Sequence, residues 1–117
     1  MNNREKGTKE EQMAAAFYEA HGYSVAERNY RRKTGEIDLI VRAPDGMLVF
    51  SEVKYRKTQK YGDPAEAVTV AKQARIYRTA QWYLQEHRIP EGTPVRFDVV
   101  SITGDDIRLI PNAFGGF

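Results

Sequence analysis

The stretch Gly35 to Lys54, GEIDLIVRAPDGMLVFSEVK, restricts the fold more than any other part of this chain. It predicts two short strands joined by a turn. Ile37 to Arg42 is one β-branched run, Leu48 to Lys54 is a second apolar run, and Ala43-Pro44-Asp45-Gly46 between them carries turn chemistry. Three charged residues, Asp38, Glu52 and Lys54, interrupt strands that are otherwise suited to burial. Strand side chains alternate faces, so Glu52 and Lys54 project from one side with Cα atoms roughly 6–7 Å apart. Such groups in a central hairpin lose hydration energy unless they pair or hold a metal ion.

The 117-residue chain is sized for one domain burying roughly two-thirds of its unfolded surface. Residues 9–117 are expected to form it, with polar residues 1–8 as a flexible N-terminus. Hydrophobic content of 41% and charged content of 29% fit an ordinary soluble globular protein. No apolar run approaches the roughly 18 residues of a membrane span, and the N-terminus MNNREKGTKEE has no signal-peptide core. Zero cysteines exclude disulfides and thiolate metal sites. A cytoplasmic location, with no membrane partner, is the expectation.

Net charge is only +2, but residues 28–60 hold nine Lys or Arg against four acids. The positive charge surrounds the same hairpin that carries the odd carboxylates. A basic surface favours a polyanion, and carboxylates within it favour a metal; the bland alternative is a solvated charged loop. Arg31, Arg32 and Lys33 form one basic group. Arg56, Lys57 and Lys60 form another in YRKTQKYG, where aromatic rings interleave as phosphate contact and base stacking would require. A surface loop has the same composition.

Around the hairpin, Lys9 to His21 has helical spacing, with Met13, Ala14, Phe17 and Ala20 on one face. Glu10 falls near the middle of that face and Glu11 at its edge; either can look inward, and both also suit a solvated helix start. Tyr23 to Asn29 predicts a strand. A second helix is expected from Asp63-Pro64, with Asp63 as N-cap, to about His87. Its inward stripe is Val68, Ile76, Ala80, Tyr83 and Leu84. Lys72 lies on that line, so it either snorkels past the sheet edge or reaches a polar site. Gln73 and Tyr77 share a neighbouring face. Val95 to Ile102 and Asp106 to Ile110 predict the last two strands across a Gly104-Asp105 turn, with Asp98 a further acidic candidate or a residue facing water. His21 and His87, at predicted helix ends, lack ligand spacing. The order α-β-β-β-α-β-β implies an α/β sandwich with a mixed central sheet and flanking helices.

Asp38 followed by Glu52-Val53-Lys54 has the form D…ExK. Phosphodiester hydrolysis calls for a hard cation, and Mg²⁺ needs only one or two carboxylates because it keeps several waters. Asp38 and Glu52 are the natural ligands, with the Val53 carbonyl as a third. Lys54 is placed to orient an attacking water or stabilise developing charge, and an acid from the first helix to complete the pocket.

These residues resemble the PD-(D/E)xK nuclease superfamily of restriction enzymes and archaeal Holliday-junction resolvases. More closely, the chain is similar to the YraN family of bacterial endonuclease-like proteins. The resemblance runs through His21-Gly22-Tyr23, ERNYR (27–31), GEIDLI (35–40), VFSEVK (49–54), GDPAEAVT (62–69), Lys72, RFDVV (96–100) and Asn112 to Phe114. It implies a restriction-endonuclease-like fold and a Mg²⁺- or Mn²⁺-dependent endonuclease acting on DNA, including branched or structured DNA. The alternative is a nucleic-acid-binding module of that fold without useful cleavage. Carried onto this sequence, the pattern makes Glu11 the helix acid, Asp38 and Glu52 metal ligands, Lys54 the catalytic lysine and Lys72 a further basic contact. Gln73 and Tyr77 match the QxxxY motif of RecB-like nucleases as accessory residues. Glu10 stands where Gly is common, Ser51 where an apolar residue is usual, and Ile37 where the superfamily has Pro. A resolvase-like role implies a homodimer, with the sheet edge, Phe114 and Phe117 as candidate surfaces.

Overall fold

The computed structural model describes residues 8–56 and 68–115. Thr8 opens the fold rather than belonging to a frayed tail. Its hydroxyl accepts the Glu11 N–H at 3.1 Å, and Glu11 Oε1 accepts the Thr8 N–H at 3.1 Å. This reciprocal box satisfies two otherwise unpaired donors and starts α1, Lys9–Ala20. The chain then forms β1 (Ser24–Arg32), β2 (Gly35–Arg42) and β3 (Leu48–Arg56). Helix α2 (Val70–Glu86), β4 (Val95–Thr103) and β5 (Asp106–Ile110) follow. The expected order α-β-β-β-α-β-β is the observed one.

The five strands lie in chain order, β1-β2-β3-β4-β5. All neighbours are antiparallel except β3 and β4, which run parallel because α2 carries the chain back between them. The β2–β3 turn forms as Pro and Asp-Gly dictate. Gly46 takes φ +93° and donates its N–H to the Ala43 carbonyl at 2.9 Å, while Asp45 Oδ1 accepts the Met47 N–H at 3.0 Å.

Each sheet face carries one helix. Ile76, Ala80 and Tyr83 of α2 pack with Ile40, Phe50, Phe97 and Val99. Ala14, Ala15 and Tyr18 of α1 pack with Leu39, Val41, Val49 and Val100. Strands covered on both faces read as continuous apolar runs, as Leu39-Ile40-Val41 does. Full burial of each such side chain contributes roughly 1.5–3 kcal/mol. No helix among the described residues is long and apolar enough to cross a membrane.

Helix α2 begins later than its sequence suggests. Thr69 is its N-cap, in extended backbone, and accepts the Lys72 N–H at 3.2 Å. A helix continuous from Pro64 is therefore excluded, although Asp63, Pro64 and Glu66 themselves lie outside the described residues. Lys57, Lys60 and Phe117 also lie outside them. Asp98 does not face water; it is fully buried. Phe114, expected at an interface, is buried against Phe97 and Tyr77.

Candidate active site

The β2–β3 ladder stops at Leu39 opposite Ser51. Beyond it, β2 stays paired to β1 as far as Gly35, and β3 stays paired to β4 as far as Arg56. The sheet forks between its second and third strands. Side chains replace the ladder across the fork: Asp38 N–H donates to Glu52 Oε2 at 3.3 Å, and Val53 N–H donates to Asp38 Oδ2 at 2.8 Å. A strand residue's N–H and C=O point to the same edge, so the Val53 carbonyl also turns toward the fork. Ile37 packs on the α2 side and Leu39 on the α1 side. Strict alternation would put them together, so the alternation of faces breaks at Asp38 although the register with β1 continues through it.

A cavity of about 470 Å³ opens at the fork. Asp38, Glu52, Val53 and Lys54 line it from the strands, Glu10 and Glu11 from α1, Lys72 and Arg75 from α2, and Glu36 from the start of β2. Both helices present their N-terminal turns to it. Glu52 is 3% exposed. Burial, then the neighbouring Asp38 carboxylate, push its carboxyl up to about 8. Burial also raises Asp38, to about 6, against the Val53 N–H that favours its charged form; Glu11 and Glu36 raise it further. Lys72 Nζ lies 4.0 Å from Glu52 Oε1. Burial lowers the Lys54 ammonium, and the Lys72 ammonium beside it lowers it again. Two carboxyls crowded together and two ammonium groups crowded together form a site whose charges are incompletely neutralised.

The sequence comparisons place this geometry among relatives. The model of the uncharacterised protein family UPF0102 matches residues 10–102. A UPF0102 protein of Lachnoclostridium phytofermentans is 48% identical over 117 residues, spanning 100% of this chain and 98% of its own. The chain belongs to the UPF0102 family. Another member, from Nitrosococcus oceani, is 42% identical over 116 residues, spanning 96% of this chain and 93% of its own. Among solved structures, Pyrococcus furiosus SfsA in complex with Ca²⁺ overlaps with a TM-score of 0.33 at 12% identity. That overlap spans 86% of this chain and 61% of the other, and supports no inference.

The UPF0102 match covers every residue that lines the cavity except Thr8. Asp38, Glu52, Val53, Lys54 and Lys72, singled out from sequence, are brought together, and Lys72 turns to Glu52 instead of snorkelling away. Glu10 and Glu11 both border the cavity; Glu11 spends one oxygen on the Thr8 cap. Gln73 and Tyr77 are not brought to it. Gln73 donates to the Val68 carbonyl at 2.9 Å, and Tyr77 packs edge-on to Phe97 with ring centroids 4.8 Å apart. Arg31 is clamped to Glu36 at 2.7 Å and Arg32 to Glu86 at 2.7 Å, both at the surface. Lys33 is exposed, and Arg56 is half-buried at the end of β3. Glu36 and Arg75 were missed. Arg75 was legible in principle, because it lies three residues after Lys72 on a helix.

Asp98 and Ser51 form a separate, structural cluster. Arg96 makes two bonds of 2.8 Å to Asp98, and Asn112 N–H adds a third at 3.0 Å. Tyr18 Oη lies 2.9 Å from both Asp98 Oδ2 and Ser51 Oγ. With one proton to give, it donates to the carboxylate and accepts from the serine. Ser51 thus tethers α1 to the sheet where an apolar residue would only pack.

Proposed function

We propose that this protein is a Mg²⁺- or Mn²⁺-dependent endonuclease that hydrolyses phosphodiester bonds in DNA, with structured or branched DNA as a substrate. The observation that carries the reading is the fork, where half-buried Asp38 and buried Glu52 lie side by side with Lys54 and Lys72 beside them. The donor set suits a hard cation: two carboxylates, each with an oxygen not spent on the cross-fork N–H bonds, and the Val53 carbonyl turned the same way. Among the described residues no three Asp, Glu or His side chains form a cluster able to hold an ion unaided. Mg²⁺ does not require one, since water completes its shell.

Asp38, Glu52 and the Val53 carbonyl would hold the ion, which when bound supplies Lewis-acid charge for the phosphate oxygens and acidifies a water. Lys54, on the Glu52 face of β3, orients the attacking water or meets the charge that develops on the phosphorane oxygens. Burial and the neighbouring Lys72 lower its basicity, which eases release of a proton at the reacting water. Lys72 and Arg75 supply charge for the flanking phosphates. Tyr55, about half exposed at the cavity rim, offers a ring to a base or sugar.

One observation favours the second reading, nucleic-acid binding without cleavage: Lys72 Nζ lies 4.0 Å from Glu52 Oε1, the oxygen left for a cation. Cleavage of plasmid and four-way-junction DNA with Mg²⁺ or Mn²⁺ separates the two. Wild type is expected to cut, and Asp38→Asn and Lys54→Ala to lose about a hundredfold or more. Asparagine keeps an oxygen for the Val53 N–H, so that variant is expected to fold. Cutting that survives both substitutions would refute the catalytic assignment. Salt-sensitive binding without any cutting would select the second reading.

A further inference from the structure

Trp82, the chain's one tryptophan, is 46% exposed on the outer face of α2. Its helical neighbours on that face are Arg78, four residues before it, and Arg75, seven before it. The ion pairs among the described residues are Arg31–Glu36, Arg32–Glu86, Lys72–Glu52 and Arg96–Asp98. Arg75 and Arg78 belong to none of these pairs. Arg75 and Arg78 are exposed as well, so this face presents an indole flanked by two guanidinium groups to solvent.

The β1–β2 turn joins this ridge to the cavity. Thr34 Oγ1 lies 2.7 Å from Thr79 Oγ1 on α2. Gly35 takes φ +149°, and a Cβ there would sit 3.3 Å from Thr79 Oγ1 and 3.5 Å from the Arg75 Cβ. The positive φ, together with the tight 3.3 Å approach, favours glycine where the turn meets the helix. Gly35 lines the 470 Å³ cavity together with Arg75, and Thr34 lines a 220 Å³ recess together with Arg78 and Trp82. The turn is the wall these two spaces share. From Lys72 to Trp82 the ridge rises roughly 15 Å along the helix.

We propose that the ridge is a track for an unpaired nucleic-acid strand leaving the cavity, with Arg75 and Arg78 on its phosphates and Trp82 stacked on a base. The proposal rests on the phosphodiesterase reading of the cavity and adds a substrate class: nucleic acid with an unpaired stretch beside the scissile bond. Guanidinium forks match phosphate oxygens in pairs. A base inside a duplex has both faces covered by its neighbours, so an indole on a convex helix finds a partner only where the strand is unpaired. A fully paired substrate would use the arginines and leave Trp82 idle.

Because Trp82 is the lone tryptophan, intrinsic fluorescence reads the contact without any cleavage. The full-length Asp38→Asn variant in EDTA is titrated with a short single-stranded DNA, the matching blunt duplex, and a duplex carrying a single-stranded flap. Single strand and flap are expected to quench the signal, and the duplex to leave it unchanged. By anisotropy of labelled probes, Trp82→Ala is expected to weaken flap binding about tenfold and spare the duplex. Arg75→Ala and Arg78→Ala should each reduce the salt dependence by about one phosphate contact. Equal response to all three probes, or unchanged flap affinity in Trp82→Ala, overturns the track. So does quenching that follows protein concentration without DNA, which would make the face a contact between copies. Cleavage by wild type with a silent Trp82 sinks the track alone. Strand-specific quenching with no cleavage in any metal sinks the nuclease reading alone.

Discussion

Two buried acids in this protein meet opposite fates. Asp98 is fully buried, yet Arg96, Tyr18 and the Asn112 N–H all donate to it. Glu52 is nearly as buried, but has one backbone N–H, a lysine at 4.0 Å and a second carboxyl beside it. Between about pH 4.5 and 8 the folded protein holds a proton at Glu52 that the unfolded chain has released, so raising the pH favours unfolding. Asp38 acts in the same direction over the lower part of that window. In EDTA the melting temperature is expected to fall as the pH rises across it, at roughly 4 °C per kcal/mol lost. Lys54, lowered in the fold, works in the opposite sense as it loses its proton, so Glu52→Gln is the decisive comparison. Calorimetry showing the same slope in wild type and Glu52→Gln would remove Glu52 as its source. For Asp98 the expectation is structural: Asp98→Ala strands the half-buried Arg96 and is expected to cost about 3–5 kcal/mol in urea unfolding, with no specific effect on DNA binding. Sequence alone could not sort these two acids. Both interrupt apolar strands, and the partner that marks Asp98 as structural, Tyr18, is 80 residues away.

At the scale of elements, the order of helices and strands was legible because each follows from local chemistry: Pro44-Asp45-Gly46 for the turn, alternation for β4, helical spacing for α1. The start of α2 was not. Asp63-Pro64 and Thr69 are both good helix openers, and nothing local ranks them; α2 is capped by Thr69, and its first turn brings Lys72 to Glu52. The fork was also illegible, since a ladder's end depends on which strands β2 and β3 keep as other neighbours. Thr69→Ala is expected to lower stability by about 0.5–2 kcal/mol, measured as a shifted urea midpoint. It should also weaken DNA binding through displacement of Lys72. Gly35→Ala is expected to cost about 1–3 kcal/mol, because alanine resists a positive φ and its Cβ crowds Thr79. A neutral outcome there would mean that the turn does not need its close approach to α2.

Over the whole molecule, one pairing differs in kind from the rest. The β1–β2–β3 meander joins residues near in sequence, whereas the parallel pair brings Leu48 to Val95. Closing that longer loop costs chain entropy before any contact repays it. The meander is therefore expected to lead the folding order, with docking of β4 following. In stopped-flow measurements Val41→Ala is expected to slow folding, and Val99→Ala mainly to speed unfolding. The reverse pattern would place β4 in the nucleus. This order has a biological edge. On that order, a chain caught between the two steps would hold Asp38 and Glu52 side by side, but not yet the lysine and arginine that α2 brings. Neither a nascent chain nor a partly unfolded one would carry the complete set, so the activity proposed for the fork would arrive only once α2 has docked.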